Sequence, residues 1–524
     1  MKEEILKLIR ERGLLLEKGV LDLLESFRDS GFAKEFLINI ERISGQKFIS
    51  LNLLNNNVEF VNSAVKTLGG DEKSIVENTF VRLGISLEVR REREIVDNVK
   101  NERKDNLQNL PYRVFYANTK PNKKLEVKDF TNHFRARYTA LQRILLNRAE
   151  LQNLVSISKI SNDRQSLSII GMIGEKRVTK NKNLMIKLED LTGEIVGLVK
   201  MEGEAFQKAN ELQLDDVVGV RANGNRDMLF IHDIFFPDSF LLEKTKFEEE
   251  GLIAFLSDVH CGSNKHLGKS FERFLEWINS KDENVGKIKY IFFTGDNVDG
   301  VGIFPGQESL LNLKSMKEQY SLLASYLRKI PKHITMFMCP GQHDASRVAE
   351  PQPLIDRGYA PELYEIENLV LVTNPCMVKF IEKEKEFRVL MYHGASIHRL
   401  ISEIKELRDM KAHRCPAKAV RHMLKRRHLA TTHGAVVYIP NENKDPLVIE
   451  EVPNILCTGE VHRLDVENYN GTLIITGSCW QAQTDFEEKV GNVPDPAKLP
   501  VYNLKTGELK IYDFLDEGEI ERWK

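Results

Sequence analysis

Five short apolar runs in the second half of the chain each stop at a cluster of Asp, His, Gln or Glu. This repeated strand-then-ligand pattern constrains the fold more than any other feature. Leu252-Ile-Ala-Phe-Leu256 leads into Ser257, Asp258, Val259 and His260. Tyr290-Ile-Phe-Phe293 leads into Thr294, Gly295, Asp296, Asn297, Val298 and Asp299. Ile334-Thr-Met-Phe-Met338 is followed closely by Pro340, Gly341, Gln342, His343 and Asp344. Arg388-Val-Leu-Met-Tyr392 precedes His393 and Gly394, and Ile455-Leu-Cys-Thr458 precedes Gly459, Glu460, Val461 and His462. Short continuous apolar runs read as strands buried on both faces. Helical patterns at about 270–279 and 309–329 alternate with them, which predicts a layered α/β domain. The polar clusters then fall at the C-terminal ends of strands, where open α/β sheets gather ligands.

The residue types point to metal chemistry. Asp and His at i, i+2 on an extended strand end project the same way, so Asp258 and His260 can reach one ion. A further Asp can bridge two ions with its two oxygens, and glycines let the backbone turn tightly beside them. Two divalent ions about 3.5–4 Å apart can share a hydroxide and polarise a phosphate for in-line attack. One Asp-x-His alone is more often a surface turn than a ligand pair, but five clusters in succession form a joint motif. Histidine use agrees, because eleven of the 13 lie after residue 251.

The remaining chain divides by pattern. At 524 residues it is too long for one core, so several domains are expected. Residues 1–66 read as a small helical domain, with Ile5, Leu6, Ile9, Leu21, Leu23, Leu24 and Phe27 near helical spacing. Residues 67–127 read as a charged linker, since 88–106 hold 12 charged residues and few large apolar ones. A helix is expected at about 128–150, with Phe134, Tyr138, Leu141 and Leu145 on one face. It opens a 128–240 domain in which five β-rich runs and a helix at about 202–211 suggest an OB-fold barrel. Lys176, Arg177, Lys180 and Lys182 offer that barrel a basic edge, yet its strands carry few aromatics. Docking of a protein and contact with DNA both remain open for it. The layered domain takes 252–515. The expected fold class is therefore multidomain α/β and β, with a helical N-terminal region.

The formal net charge of −2 does not mark a nucleic-acid binder, so any such surface is a local patch. Arg421, Lys425, Arg426 and Arg427 are candidates for phosphate contact, with a solvated helix face as the alternative. The six cysteines form no C-x-x-C pair and read as reduced thiols. No apolar run reaches about 18 residues, and the opening Met1-Lys2-Glu3-Glu4-Ile5 lacks a signal-peptide core. A cytoplasmic protein with no membrane span is expected.

The strand-end motifs, in this order, resemble those of the calcineurin-like phosphoesterases. The resemblance implies an αββα sandwich and two metal ions. Asp258, His260 and His462 would hold the first ion and Asp296 would bridge. Gln342, His393 and Glu460 would face the second. His343 would be the acid that protonates the departing oxygen, with Asp344 orienting it, and Asp299 would support a ligand rather than bind. Two positions depart from the family pattern, where Asn stands in place of Gln342 and His in place of Glu460. Both changes favour magnesium or manganese over zinc, because amide and carboxylate oxygens are harder ligands than imidazole.

The order of helical start, charged segment, barrel and phosphoesterase narrows the resemblance. It is that of the small subunits of archaeal family-D replicative DNA polymerases. His133-Phe-Arg-Ala-Arg-Tyr138, Met423-Leu-Lys-Arg-Arg-His-Leu429 and Gly477-Ser-Cys-Trp-Gln-Ala-Gln-Thr484 carry it. It implies a 3′→5′ exonuclease using Mn2+ or Mg2+, acting on DNA beside a large catalytic polymerase subunit, with a sliding clamp as a further partner. A non-catalytic scaffold subunit and a phosphomonoesterase are the rival readings.

Overall fold

Leu252–Leu256 has no polar side to turn toward water, and in the computed structural model it is a central strand with every residue buried. The structure describes residues 2–17, 20, 21, 24, 30–44, 47–49, 111–119, 124–241, 243–490, 492–515 and 520–523. The chain forms two units, 1–104 and 105–524.

The first unit contains helices Lys2–Arg12 and Ser30–Ser44. Leu15–Leu16 pairs in parallel with Phe48–Ile49. Ile5, Leu24, Leu37 and Ile40 are buried. Residues 51–66 of the expected helical domain, and 67–110 of the expected linker, lie outside the described residues.

The second unit is a mixed α/β structure with several sheets. Leu252–Leu256 pairs in parallel with Ile288–Thr294 and antiparallel with Lys498–Asn503 inside a seven-stranded sheet. A six-stranded sheet contains Cys376–Glu382, Lys385–Met391, Ile455–Thr458 and Thr472–Thr476. An aromatic-rich core joins the two sheets, including Phe255, Phe292, Phe337, Phe380 and Phe387. The Phe255 and Phe292 rings stack with centroids 5.4 Å apart. Helices Gly268–Ile278 and Met316–Leu327 bury Phe271, Phe274, Leu323 and Leu327 against the first sheet. Helices Ile397–Glu403 and Ala417–Arg426 do the same for the second.

Composition misplaced one strand. Tyr112–Tyr116, assigned above to the linker, is the edge strand of the six-stranded sheet, antiparallel to Cys376–Glu382. Its alternating Tyr-Arg-Val-Phe-Tyr suits a half-buried strand. Tyr112 inserts edge-on against Phe337 at 5.0 Å, so a distant aromatic core outweighs the surrounding polar composition.

Gln165–Val178, Leu184–Asp190, Gly193–Val199, Val217–Gly224 and Leu229–Phe235 form a closed barrel. The first strand pairs with both the second and the fourth, and the fifth closes between the third and fourth. A register shift between Ile173 and Glu175 bends the 14-residue first strand so that it serves both neighbours. Lys176, expected on a free basic edge, instead donates to the carbonyls of Asn210 and Leu212 at the end of helix Glu204–Glu211. Burial pulls its pKa down to about 8.

Helix Val127–Leu145 buries Tyr138, Leu141 and Leu145 as periodicity predicts, but Phe134 is only half-buried. His133 and Arg137 take the buried positions beside them. Arg137 Nε lies 2.6 Å from Asp445 Oδ2, His428 Nε2 2.9 Å and His133 Nε2 3.2 Å, with all four side chains buried. Burial alone would raise the Asp445 pKa, but the Arg137 and His428 charges and the histidine hydrogen bonds hold it well below the usual carboxylate range. Asp445→Asn leaves a buried guanidinium without its counter-charge and is expected to destabilise the unit by about 3–5 kcal/mol. A lowered urea-unfolding midpoint is the measurement. The depressed carboxyl pKa places this stabilisation at neutral pH, with its loss as the pH falls through that depressed value.

No helix among the described residues is long and apolar enough to cross a membrane.

Candidate metal centre

The strand ends do not simply stop; they turn through left-handed backbone. Asp258, His260, Asp296, Glu460 and His462 all have positive φ, between 47° and 74°. This conformation costs a side-chain-bearing residue about 1–3 kcal/mol, and it persists where the surroundings over-determine it. Here they do: Asp258 N–H donates to the Gly295 carbonyl, and His260 N–H to the Asp296 carbonyl, each at 3.0 Å. The first two strand ends are thus stitched together side by side. Gly341 and Gly459 complete the cradle. A Cβ at Gly341 would collide with Asp296 and His393, and one at Gly459 with Asp258.

Three imidazoles are oriented alike. His260 Nδ1 is 3.0 Å from Asp299 Oδ1, His393 Nδ1 is 2.9 Å from the Thr294 carbonyl, and His462 Nδ1 is 3.0 Å from Glu487 Oε1. Each Nδ1–H is thereby tied back, which leaves Nε2 as the ligating nitrogen. The Nε2 atoms converge on carboxylates. His260 Nε2 and His462 Nε2 are 3.1 Å apart, with Asp258 Oδ1 3.6 Å from the latter. His393 Nε2 is 3.2 Å from both Asp296 Oδ2 and Glu460 Oε2. Asp296 Oδ2 is also 4.0 Å from His260 Nε2, so it lies between the two clusters. Asp258, His260 and His462 have ligand atoms close enough to share one ion, and so do Asp258, Asp296 and His393.

The donor set fits divalent cations. Asp258 Oδ2 and Gln342 Oε1 are buried with no hydrogen-bond partner among the described residues, and an orphaned acceptor is costly unless a cation or water meets it. The buried carboxylates and histidines also shift one another's protonation. Burial would raise Asp296, but the His393 and His343 charges hold it well below the usual range. Burial would likewise lower His393, but Asp296 and Glu460 hold it well above. A cation that binds there displaces that proton.

His343 sits at the mouth, with about a fifth of its side chain exposed. Its backbone N–H donates to Asp296 Oδ1 at 2.9 Å, and its Nδ1 meets the Asp299 carbonyl at 2.6 Å. Asp344, expected to orient it, does not. Its Oδ2 accepts from the N–H groups of Asn297 and Gly341 and from Asn297 Nδ2, and its Oδ1 from the Tyr320 hydroxyl. Burial pushes its pKa up to about 6. Asp344 braces the loop, because its two oxygens are taken up by those four donors while His343 Nδ1 is held by the Asp299 carbonyl. Asp299 stands where a supporting residue should, holding His260 and held in turn by Gln481 and Gln307.

Two supporting residues escaped the sequence reading. Glu487 orients His462, and Gln481 orients Asp299. Glu487 had a local signal, since Thr484-Asp-Phe-Glu487 is a capping-box pattern and Thr484 N–H does donate to Glu487. His398 also approaches, with Nε2 3.6 Å from Glu460 Oε1 and its ring stacked on His413.

The candidate phosphate contacts need correction. Arg426 Nε lies 3.0 Å from Asp216 Oδ1, both side chains being about 1% exposed. Lys425 pairs with Glu211 at 2.5 Å, and Arg427 donates to the carbonyls of Ile449 and Glu450. Arg421 lies between Glu467 and Glu406, at 3.4 and 3.6 Å. These cations fasten the Ala417–Arg426 helix to the barrel and to its own sheet, and are not a free surface for DNA.

The family of DNA polymerase alpha/epsilon B-subunits matches residues 253–465, which contain all seven expected ligands. The chain is 34% identical over 440 residues to the DNA polymerase II small subunit of Pyrococcus furiosus, covering 82% of this chain and 69% of that one. To its counterpart in Methanothermobacter thermautotrophicus it is 35% identical over 396 residues, with 74% and 80% covered. To that of Archaeoglobus fulgidus it is 37% identical over 382 residues, with 72% and 75% covered. With about a third of the residues identical over more than two thirds of each chain, the chain belongs to the family of DNA polymerase II small subunits.

Proposed function

We propose that this chain is the proofreading subunit of a replicative DNA polymerase, a metal-dependent 3′→5′ exonuclease that trims single-stranded or mismatched DNA ends. The observation that carries this reading is the convergence of three tied-back imidazoles and orphaned buried oxygens on Asp258 and Asp296. Asp258, His260 and His462 would hold one divalent cation, Gln342, His393 and Glu460 a second, and Asp296 would bridge. Bound cations of this kind supply Lewis-acid polarisation of a phosphoryl group and lower the pKa of the attacking water. The oxygen-rich second set favours Mn2+ or Mg2+. The two facing sheets with outer helices support a calcineurin-like sandwich, and the closed five-stranded barrel supports an OB-type fold.

The protein's own groups handle the leaving oxygen. The Asp299 carbonyl fixes His343 Nδ1–H, so the imidazolium presents its second proton on Nε2. As the P–O3′ bond breaks, that proton passes to the departing 3′-oxygen. The products are a nucleoside 5′-monophosphate and a strand shortened by one residue. Asp299, Thr294 and Glu487 keep the three ligating imidazoles from rotating. The barrel, whose exposed Phe230 already lies under Arg164, suits docking of a large catalytic subunit better than stacking of bases.

Nucleotide release from end-labelled single-stranded DNA, assayed beside a chromogenic phosphomonoester, tests the reading. Activity is expected on DNA with manganese or magnesium, to be abolished by chelation and restored by adding the metal back. Full activity in chelator would exclude the hydrolytic mechanism, and turnover of the phosphomonoester alone would exclude the nuclease.

A further inference from the structure

A single short loop beside His343 exposes three large apolar side chains that the hydrolytic chemistry does not use. In Gly300-Val-Gly-Ile-Phe-Pro-Gly306, Val301, Ile303 and Phe304 are 38%, 40% and 43% exposed. Such exposure would suggest a floppy turn, but the backbone is pinned. Gln319 accepts from Gly300 N–H and donates back to its carbonyl, and Gln307 accepts from Ile303 N–H. Gln307 also donates to the Asp299 carbonyl that holds His343. The loop is therefore a rigid lip built onto the same backbone as the proposed acid. A Cβ at Gly300 would collide with the His343 carbonyl, so the lip lies directly against that residue.

Phe304 and Pro305 line the same cavity, of roughly 1230 Å³, as His260, His343 and His462. Lys265, Lys411 and Arg414 line it too. An apolar aromatic and several cations around one phosphate-handling centre match the two faces of a nucleotide strand, its bases and its phosphodiesters.

We propose that Phe304 is a positioning residue that stacks on the base of the nucleotide carrying the leaving 3′-oxygen. This rests on the nuclease reading with His343 as the acid. The acid must sit at the leaving oxygen, and Phe304 belongs to the lip against the acid. The base it meets is then that of the penultimate residue, the one that becomes the new 3′ end. A base stacked inside duplex DNA has no free face for this ring, so the contact favours frayed or single-stranded ends.

The full chain with manganese is assayed on three strands. They are pentathymidylate, the same strand with an abasic penultimate residue, and the same strand with an abasic terminal residue. Phe304→Ala is expected to lower kcat/KM on pentathymidylate by on the order of ten- to a hundredfold, the range for loss of one stacked base. Phe304→Trp should restore it. On the penultimate-abasic strand wild type and Phe304→Ala should be equal, while the terminal-abasic strand should keep the full difference. An undiminished loss on the penultimate-abasic strand, or a loss that follows the terminal base, would overturn the proposal. If the wild type releases no nucleotide from any strand, the nuclease reading itself fails. Fluorescence anisotropy with the same strands, 5′-labelled, then decides the stacking. A penalty confined to strands with a penultimate base supports it, and equal affinities overturn it.

Discussion

His343→Ala is expected to lower the rate of nucleotide release by about 10²–10⁴-fold, the usual worth of a positioned general acid. Metal binding and fold should survive. The reason is geometric. The side chain is partly exposed at the mouth, its Nδ1 is held by a backbone carbonyl, and the link to Asp296 Oδ1 comes from its main-chain N–H, which alanine keeps. The substitution removes a proton donor and leaves the carboxylate's hydrogen bond in place. Calorimetric titration with manganese beside the nuclease assay separates the two roles. Unchanged affinity with a large rate loss supports the acid. Parallel losses of metal, fold and activity would mean that the imidazole only braces the loop.

Asp296→Ala should behave differently, losing metal and activity together. Its Oδ2 lies 3.2 Å from His393 and 4.0 Å from His260, and Oδ1 holds the His343 backbone. Removing a group that only supports a ligand typically costs 10–100-fold in affinity, so removing the proposed bridge should cost more than about 100-fold. The same change leaves three histidines crowded without their central carboxylate, since burial alone disfavours His393 as a cation. Calorimetry should therefore show weak metal uptake at concentrations that saturate the wild type. Asp296→Ala protein that still took up two ions with native affinity would remove the bridging role.

Asp299 and Asp344 look alike in the sequence but take different roles in the fold. Both are acids within five residues of a proposed ligand, and nothing nearby in sequence separates them. Asp299 supports His260 because it follows a strand end stitched to that histidine's own turn. Asp344 is turned inward by donors from Asn297, Gly341 and Tyr320, two of them on other elements. The basic run at 421–427 failed for the same kind of reason. Whether its charges face water or carboxylates depends on Glu211 and Asp216, which lie more than 200 residues earlier.

The five strands, the order of the polar clusters at their ends and the residue types that suit divalent cations are all legible in the chain's local pattern. Those depend on apolar continuity and on the two-residue period of an extended chain, which are local properties. Long-range contacts set which nitrogen each imidazole offers, bring Glu487 and Gln481 to the site, join Tyr112–Tyr116 to the distant strand Cys376–Glu382, and make the basic helix an internal joint. Each of these turns on a partner distant in sequence. Buried donors, acceptors and charges must be matched by whatever the fold brings against them, and no window of the chain contains that partner.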